Sequence, residues 1–122
     1  MARKRDFDKA IVLEQCTQLF ITYGYEGTSI SDLVTTTGLL RGSLYAAFGS
    51  KLGVFQEILQ QLPNDQPLTH AQLDLLIVAL NEVAPHNPAI KDFLMNYVAH
   101  FDTDLLRQQI GQRVIGRLTQ PF

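Results

Sequence analysis

The chain has 122 residues, 46% of them apolar, and a formal net charge of −2 at pH 7. That length admits one domain or two very small ones around a real hydrophobic core, and that charge excludes a protein held to nucleic acid by bulk basicity alone. One cysteine, Cys16, excludes an intrachain disulfide or a thiolate cluster, and three dispersed histidines, His70, His86 and His100, form no local metal motif.

The N-terminus reads MARKRDFDKA and lacks the apolar stretch of a signal peptide, and no apolar run is long enough to cross a bilayer. The expected location is therefore the cytoplasm, with no membrane partner. Residues 1–62 balance six basic against six acidic side chains, yet three of the cations, Arg3, Lys4 and Arg5, are adjacent and form a short basic arm. That arm is either a solubilising tail or a DNA contact.

Helical spacing runs through the chain. Val12, Cys16, Leu19, Phe20 and Tyr23 recur as one buried face, with Asp6 as the front cap and Gly24 as the stop. Thr28 or Ser29 caps a short second helix whose Ile30, Leu33 and Val34 face inward, with Asp32 completing a near capping box. Gly38 ends it. A third helix over 40–48 sets Leu44 and Phe48 one turn apart, Gly49 closes it, and Ser50 caps a fourth carrying Leu52, Phe55, Ile58, Leu59 and Leu62.

The segment PNDQP, residues 63–67, reads as a linker. After it, Thr69 and Gln72 make a capping box and Leu68 and Leu73 occupy the staple positions of a fifth helix, whose LLIVAL interior is apolar all round. A second break, PHNP at 85–88, precedes Asn87 as cap and Pro88 at the first helical position of one long final helix. Ile90, Leu94, Tyr97, Val98, Phe101 and Leu105 form its first apolar row; Leu106, Ile110, Val114 and Leu118 form a second, shifted around the axis.

The fold class is thus all-α. Two short helices joined by a tight glycine-containing turn and braced by a longer first helix form a helix-turn-helix, whose second helix enters the major groove of double-stranded DNA. In "TGLLRGSLYAAFGSK", Gly42, Ala46 and Ala47 leave the outer side of that helix thin enough to approach a groove about 12 Å wide, while Leu44 and Phe48 anchor it. Arg41, at its front, can reach the O6 and N7 acceptors of guanine. Ser43, Tyr45 and Lys51 suit phosphate oxygens, and Ser29 marks a helix N-terminus suited to a phosphate. Tyr45 also admits a plainer role as a half-buried core aromatic.

With "LFITYGYEGTSISDLV", "TTGLLRGSLYAAFGSK" and "VFQEIL" in order, residues 7–59 resemble the DNA-binding domain of the tetracycline-repressor (TetR) family. Phe20, Gly24, Tyr25, Thr28, Ile30, Leu33, Gly38, Leu44, Tyr45, Phe48 and Lys51 fall at the family's spacing. The resemblance implies a homodimeric transcriptional repressor whose DNA contacts are Ser29, Arg41, Gly42, Ser43, Tyr45 and Lys51. Three places depart from the pattern. Leu40 stands where a small or hydroxylated cap is usual, Leu52 and Gly53 replace acidic and small residues, and Ala46 and Ala47 lack the aromatic or histidine often found there.

These readings divide the chain into a DNA-binding domain over 1–62 and a short helical dimerisation region over 63–122. The second half resembles the family less closely, through Glu82, Ala84, Pro85 and Pro88, and has room for about two of the five or six helices that normally follow. No private inducer pocket is expected, since a drug-sized ligand needs about 300 to 1,000 Å³. The apolar faces within 68–118 pair with a second copy of the chain or fold back as a monomeric core. The expected function is a DNA-binding regulator acting on an inverted repeat. The alternative is a truncated relative that pairs with a partner without binding DNA. No constellation of catalytic spacing is present, and no cofactor is implied; His100, Asp102, Asp104 and Arg107 read as solvated pairs.

Overall fold

Asp8 opens the first helix. Its Oδ1 accepts the backbone N–H of Ala10 at 2.9 Å, satisfying a donor that a helix start leaves unpaired. Asp6, expected in that role, lies outside residues 7–119, which are the residues this computed structural model describes. Among them the elements are all helices, and the chain divides into two compact units between Gln61 and Leu62.

In the first unit α1 spans Lys9–Tyr23, α2 Ile30–Thr37, α3 Arg41–Phe48 and α4 Lys51–Gln60. Helix α1 packs on α2 and α4, and α3 lodges against α2 and α4. Val12, Leu13, Cys16 and Phe20 carry the buried side of α1. Tyr23, expected on that side, is 64% exposed. The ring that covers Phe20 comes instead from beyond the helix end: Tyr25 stacks on Phe20 at 5.7 Å between centroids, and both meet Phe55 of α4 edge-on at 5.1 Å. Edge-to-face and offset-stacked rings at these separations contribute about 1 kcal/mol per pair beyond their buried area.

Thr28 is fully buried and does not cap α2. Its hydroxyl donates to the Gly24 carbonyl at 2.7 Å, tying the loop back to the end of α1. Further along, α3 and α4 approach closely at a glycine: a Cβ on Gly53 would lie 1.8 Å from the Phe48 carbonyl oxygen. The departure at Gly53 noted in the sequence thus has a steric counterpart. An ion pair between Lys9 and Glu57 at 2.7 Å links α1 to α4 at the surface.

The second unit contains α5 (His70–Val78), α6 (Pro88–Ala99) and α7 (Thr103–Gly116). The Thr69–Gln72 capping box forms as expected, and Leu68 and Leu73 are both buried at the staple positions. Every residue from Leu73 to Ala79 is buried. A wide π-type turn over Ala79–Val83 and a 3₁₀ turn over Ala84–His86 lead to the Asn87 cap, whose Oδ1 accepts the Ile90 N–H at 2.9 Å.

The single long helix expected after Pro88 is two helices. The chain breaks at residues 100–102, where Asp102 caps α7 by accepting the Leu105 N–H at 3.1 Å. Gln66 of the linker secures that corner, accepting the Asp102 N–H at 3.1 Å, and Tyr97 donates its hydroxyl to the Pro63 carbonyl. The shift between the two apolar rows in the sequence is the trace of this corner.

Sequence reading passed over Asp74, one of the buried stretch of α5. A buried carboxylate needs partners, and it has two: Arg113 grips it with Nε on Oδ1 at 2.7 Å and Nη2 on Oδ2 at 2.8 Å, while Arg117 adds a bond at 2.8 Å. Burial pushes this carboxyl up, but the hydrogen bonds and charges of Arg113 and Arg117 outweigh it and hold the group below the usual carboxylate range. Since Leu106 is the one buried residue of α7, these ion pairs carry much of its attachment to α5.

Asp74→Ala is expected to destabilise the second unit by roughly 1 to 2 kcal/mol, the worth of charge-assisted hydrogen bonds to guanidinium groups that keep some contact with water, read as a lower urea midpoint. Because the folded pKa lies below the unfolded value of about 3.9, the contribution is complete at neutral pH and is lost as pH falls below about 4. The melting temperature of the parent chain should fall more steeply there than that of Asp74→Asn.

Candidate nucleic-acid interface

Between α2 and α3 lie three residues, and the first sets the geometry. Gly38 adopts φ +73° and ψ 5°, a left-handed conformation that glycine enters without a Cβ penalty, and its N–H closes α2 on the Val34 carbonyl. Ser29 starts α2 with a full capping box: its Oγ accepts the Asp32 N–H at 3.0 Å while Asp32 Oδ2 accepts the Ser29 N–H at 2.8 Å. The Ser29 backbone N–H, helped by its hydroxyl, holds the Asp32 carboxyl below the usual range. A negative charge therefore stands at this helix N-terminus, supported by the Ser29 backbone N–H and hydroxyl.

Helix α3 is anchored from behind by Leu44 and Phe48, both buried. Arg41, Gly42, Tyr45 and Ala46 are exposed, and Ser43 and Ala47 are half-buried. A Cβ built on Gly42 meets nothing within 4 Å, so glycine there is not forced by packing and leaves the surface low. Tyr45 is 43% exposed, on the outer side rather than in the core. Leu40, at the N-cap position of α3, makes no side-chain cap bond and is 77% exposed. A missing N-cap costs about 1 kcal/mol.

The two cations picked out in the sequence are both held. Arg41 Nη2 donates to Ser31 Oγ on α2 at 2.8 Å, which fixes the guanidinium across the turn and leaves its other donors free for a bidentate contact. Lys51 Nζ donates to the Tyr25 carbonyl at 3.0 Å and sits 4.1 Å from the centre of the Tyr25 ring. Its ammonium retains two further hydrogens. Ser31 and Tyr25 are the partners that sequence reading missed; Ser31 stands ten residues before Arg41, and no local spacing rule connects them. Arg3, Lys4 and Arg5 lie outside the described residues.

The described residues contain no group of metal-ligating side chains. Cys16 is fully buried, and burial pushes its thiol up to about 11, leaving it protonated and unreactive at neutral pH. No helix of the described residues is long and apolar enough to cross a membrane. Surface clefts above 300 Å³ occur in the second unit: one of about 400 Å³ lined by Pro67, His70, Gln109 and Arg113, one of about 330 Å³ by Leu80, Pro85, Leu94 and Met95, and one of about 500 Å³ by His86, Asn87, Pro88 and Asp92.

Residues 12–58 match the profile described as "Bacterial regulatory proteins, tetR family". The chain is 46% identical over 55 residues to "Uncharacterized HTH-type transcriptional regulator YezE" of Bacillus subtilis (strain 168), which covers 45% of this chain and 28% of that protein. It is 41% identical over 59 residues to "HTH-type transcriptional repressor ComR" of Escherichia coli (strain K12), covering 48% and 28%. A longer, weaker likeness, 23% over 130 residues, relates it to "HTH-type transcriptional repressor BdcR" of the same organism and covers 84% of this chain and 66% of that protein. The chain thus spans under a third of the first two relatives.

Ser29→Ala is expected to cost about 1 kcal/mol of stability through loss of the cap. The Asp32 carboxyl should move up toward its ordinary value at the same time, read by NMR titration of its side-chain carbon.

Proposed function

We propose that this chain, which belongs to the TetR family of bacterial regulatory proteins through residues 12–58, is a sequence-specific DNA-binding repressor that works as a homodimer on an inverted repeat. It is a regulator and not an enzyme. The observation that carries the reading is the outer side of α3: low at Gly42 and Ala46, headed by an Arg41 already tied to Ser31, and braced behind by Leu44 and Phe48. A bidentate guanidinium on guanine discriminates by about 1 to 3 kcal/mol. Lys51, Tyr45, Ser43 and the Ser29 hydroxyl then hold phosphates and set the register without reading sequence.

Dimerisation is supported by the second unit. Val114, Ile115 and Leu118 are exposed close together in sequence at the end of α7 and in the turn that follows it, with Leu118 at 85%. Large apolar side chains left in water together favour an association surface. A two-fold pair would set recognition helices about 34 Å apart, one turn of B-DNA, so each meets a half-site. The same exposed apolar side chains, with Asp32 charged beside Ser29, also favour a second reading, in which the chain pairs with a partner and binds no DNA.

Selection from random duplexes followed by gel shifts over a salt series separates the two. Arg41→Ala should weaken the selected site by about 1 to 3 kcal/mol and leave random duplex unchanged; Lys51→Ala should weaken both alike and flatten the salt dependence. Equal losses on both duplexes for Arg41→Ala would remove its reading role. The double variant Ile115→Asp, Leu118→Asp should bring the solution mass from twice the 13.7 kDa chain mass to once, measured by analytical ultracentrifugation.

A further inference from the structure

Leu40 is the feature of the interface that neither packing nor capping accounts for. It occupies the N-cap position of an eight-residue helix, where a short oxygen-bearing side chain would accept a backbone N–H, and it makes no such bond. It is not turned into the core either, being 77% exposed. A large aliphatic side chain thus stands in water at the leading edge of the surface that Arg41 heads.

We propose that Leu40 is a specificity-determining residue that reads a thymine through its C5-methyl group in the major groove; the inference rests on the DNA-binding function proposed above. Two properties of groove recognition favour this occupant. The residues at the front of a recognition helix are the ones that meet base edges. Thymine's methyl is the one apolar feature among the groove-exposed base edges, and side chains without polar atoms recognise it by contact alone. The half-site should therefore carry a thymine near the guanine that Arg41 reads, and a polar cap at position 40 would surrender that second letter.

The test uses the full chain and a half-site duplex recovered by selection, in which each thymine is replaced in turn by deoxyuridine, a change that removes only the methyl. At one position the parent chain should lose about fourfold in affinity, the worth of one methyl taken out of water. Leu40→Ser should bind that thymine and uracil equally, while melting at a higher temperature because serine supplies the missing cap. Uracil tolerated at every position by the parent chain overturns the proposal, as does a fourfold loss that persists in Leu40→Ser, which assigns the methyl to another side chain such as Ala46. A Leu40→Ser chain that melts lower than the parent also overturns it, since Leu40 would then be structural. Failure to recover any duplex at low salt defeats instead the DNA-binding reading on which the proposal stands.

Discussion

An eight-residue helix has no stability of its own in water, because nucleation consumes most of what so few hydrogen bonds return. Helix α3 exists because Leu44 and Phe48 are driven into the core of the first unit, which also holds Leu33, Val54 and Phe55. Their burial also fixes the rotation of the helix about its axis. Once these two side chains face inward, Gly42 and Ala46 must face outward, so the same contacts that stabilise the segment decide which residues can meet a groove. The aromatic group of Phe20, Tyr25 and Phe55 extends the constraint to Lys51, whose ammonium is held over the Tyr25 ring.

The first unit was legible where a local rule carries the information. Gly24, Gly38 and Gly49 end their helices with positive φ, and Ser29 and Ser50 cap through their hydroxyls. Each depends on residues at most a few positions apart. What escaped notice depends on distance or competition: Asp8 lies two residues closer to the apolar stripe than Asp6, and Tyr25 rather than Tyr23 covers Phe20. The guanidinium of Arg41 could be assigned to an edge from spacing, but its tether to Ser31 is a tertiary contact.

In the second unit the pattern was read correctly as apolar and wrongly as continuous. A long helix and two helices joined at a corner produce nearly the same sequence of Leu, Tyr, Phe and Val; Asp102 as a cap distinguishes them, and a lone aspartate before a threonine is a weak mark. Asp74 was hidden for a related reason. In a helix with no polar side, one carboxylate seems to be a surface residue until partners 39 and 43 positions later are brought to it.

The way α7 is held sets the order in which the molecule loosens. A helix with one buried side chain, Leu106, whose end is tied down by Arg113 and the following Arg117, leaves its neighbour more readily than one seated in hydrocarbon, so its amides should open before those of α5. A partner that covers Val114 and Ile115 only while α7 is docked would favour the docked form. By mass action it would then strengthen the hold of α7 on α5 without touching Asp74.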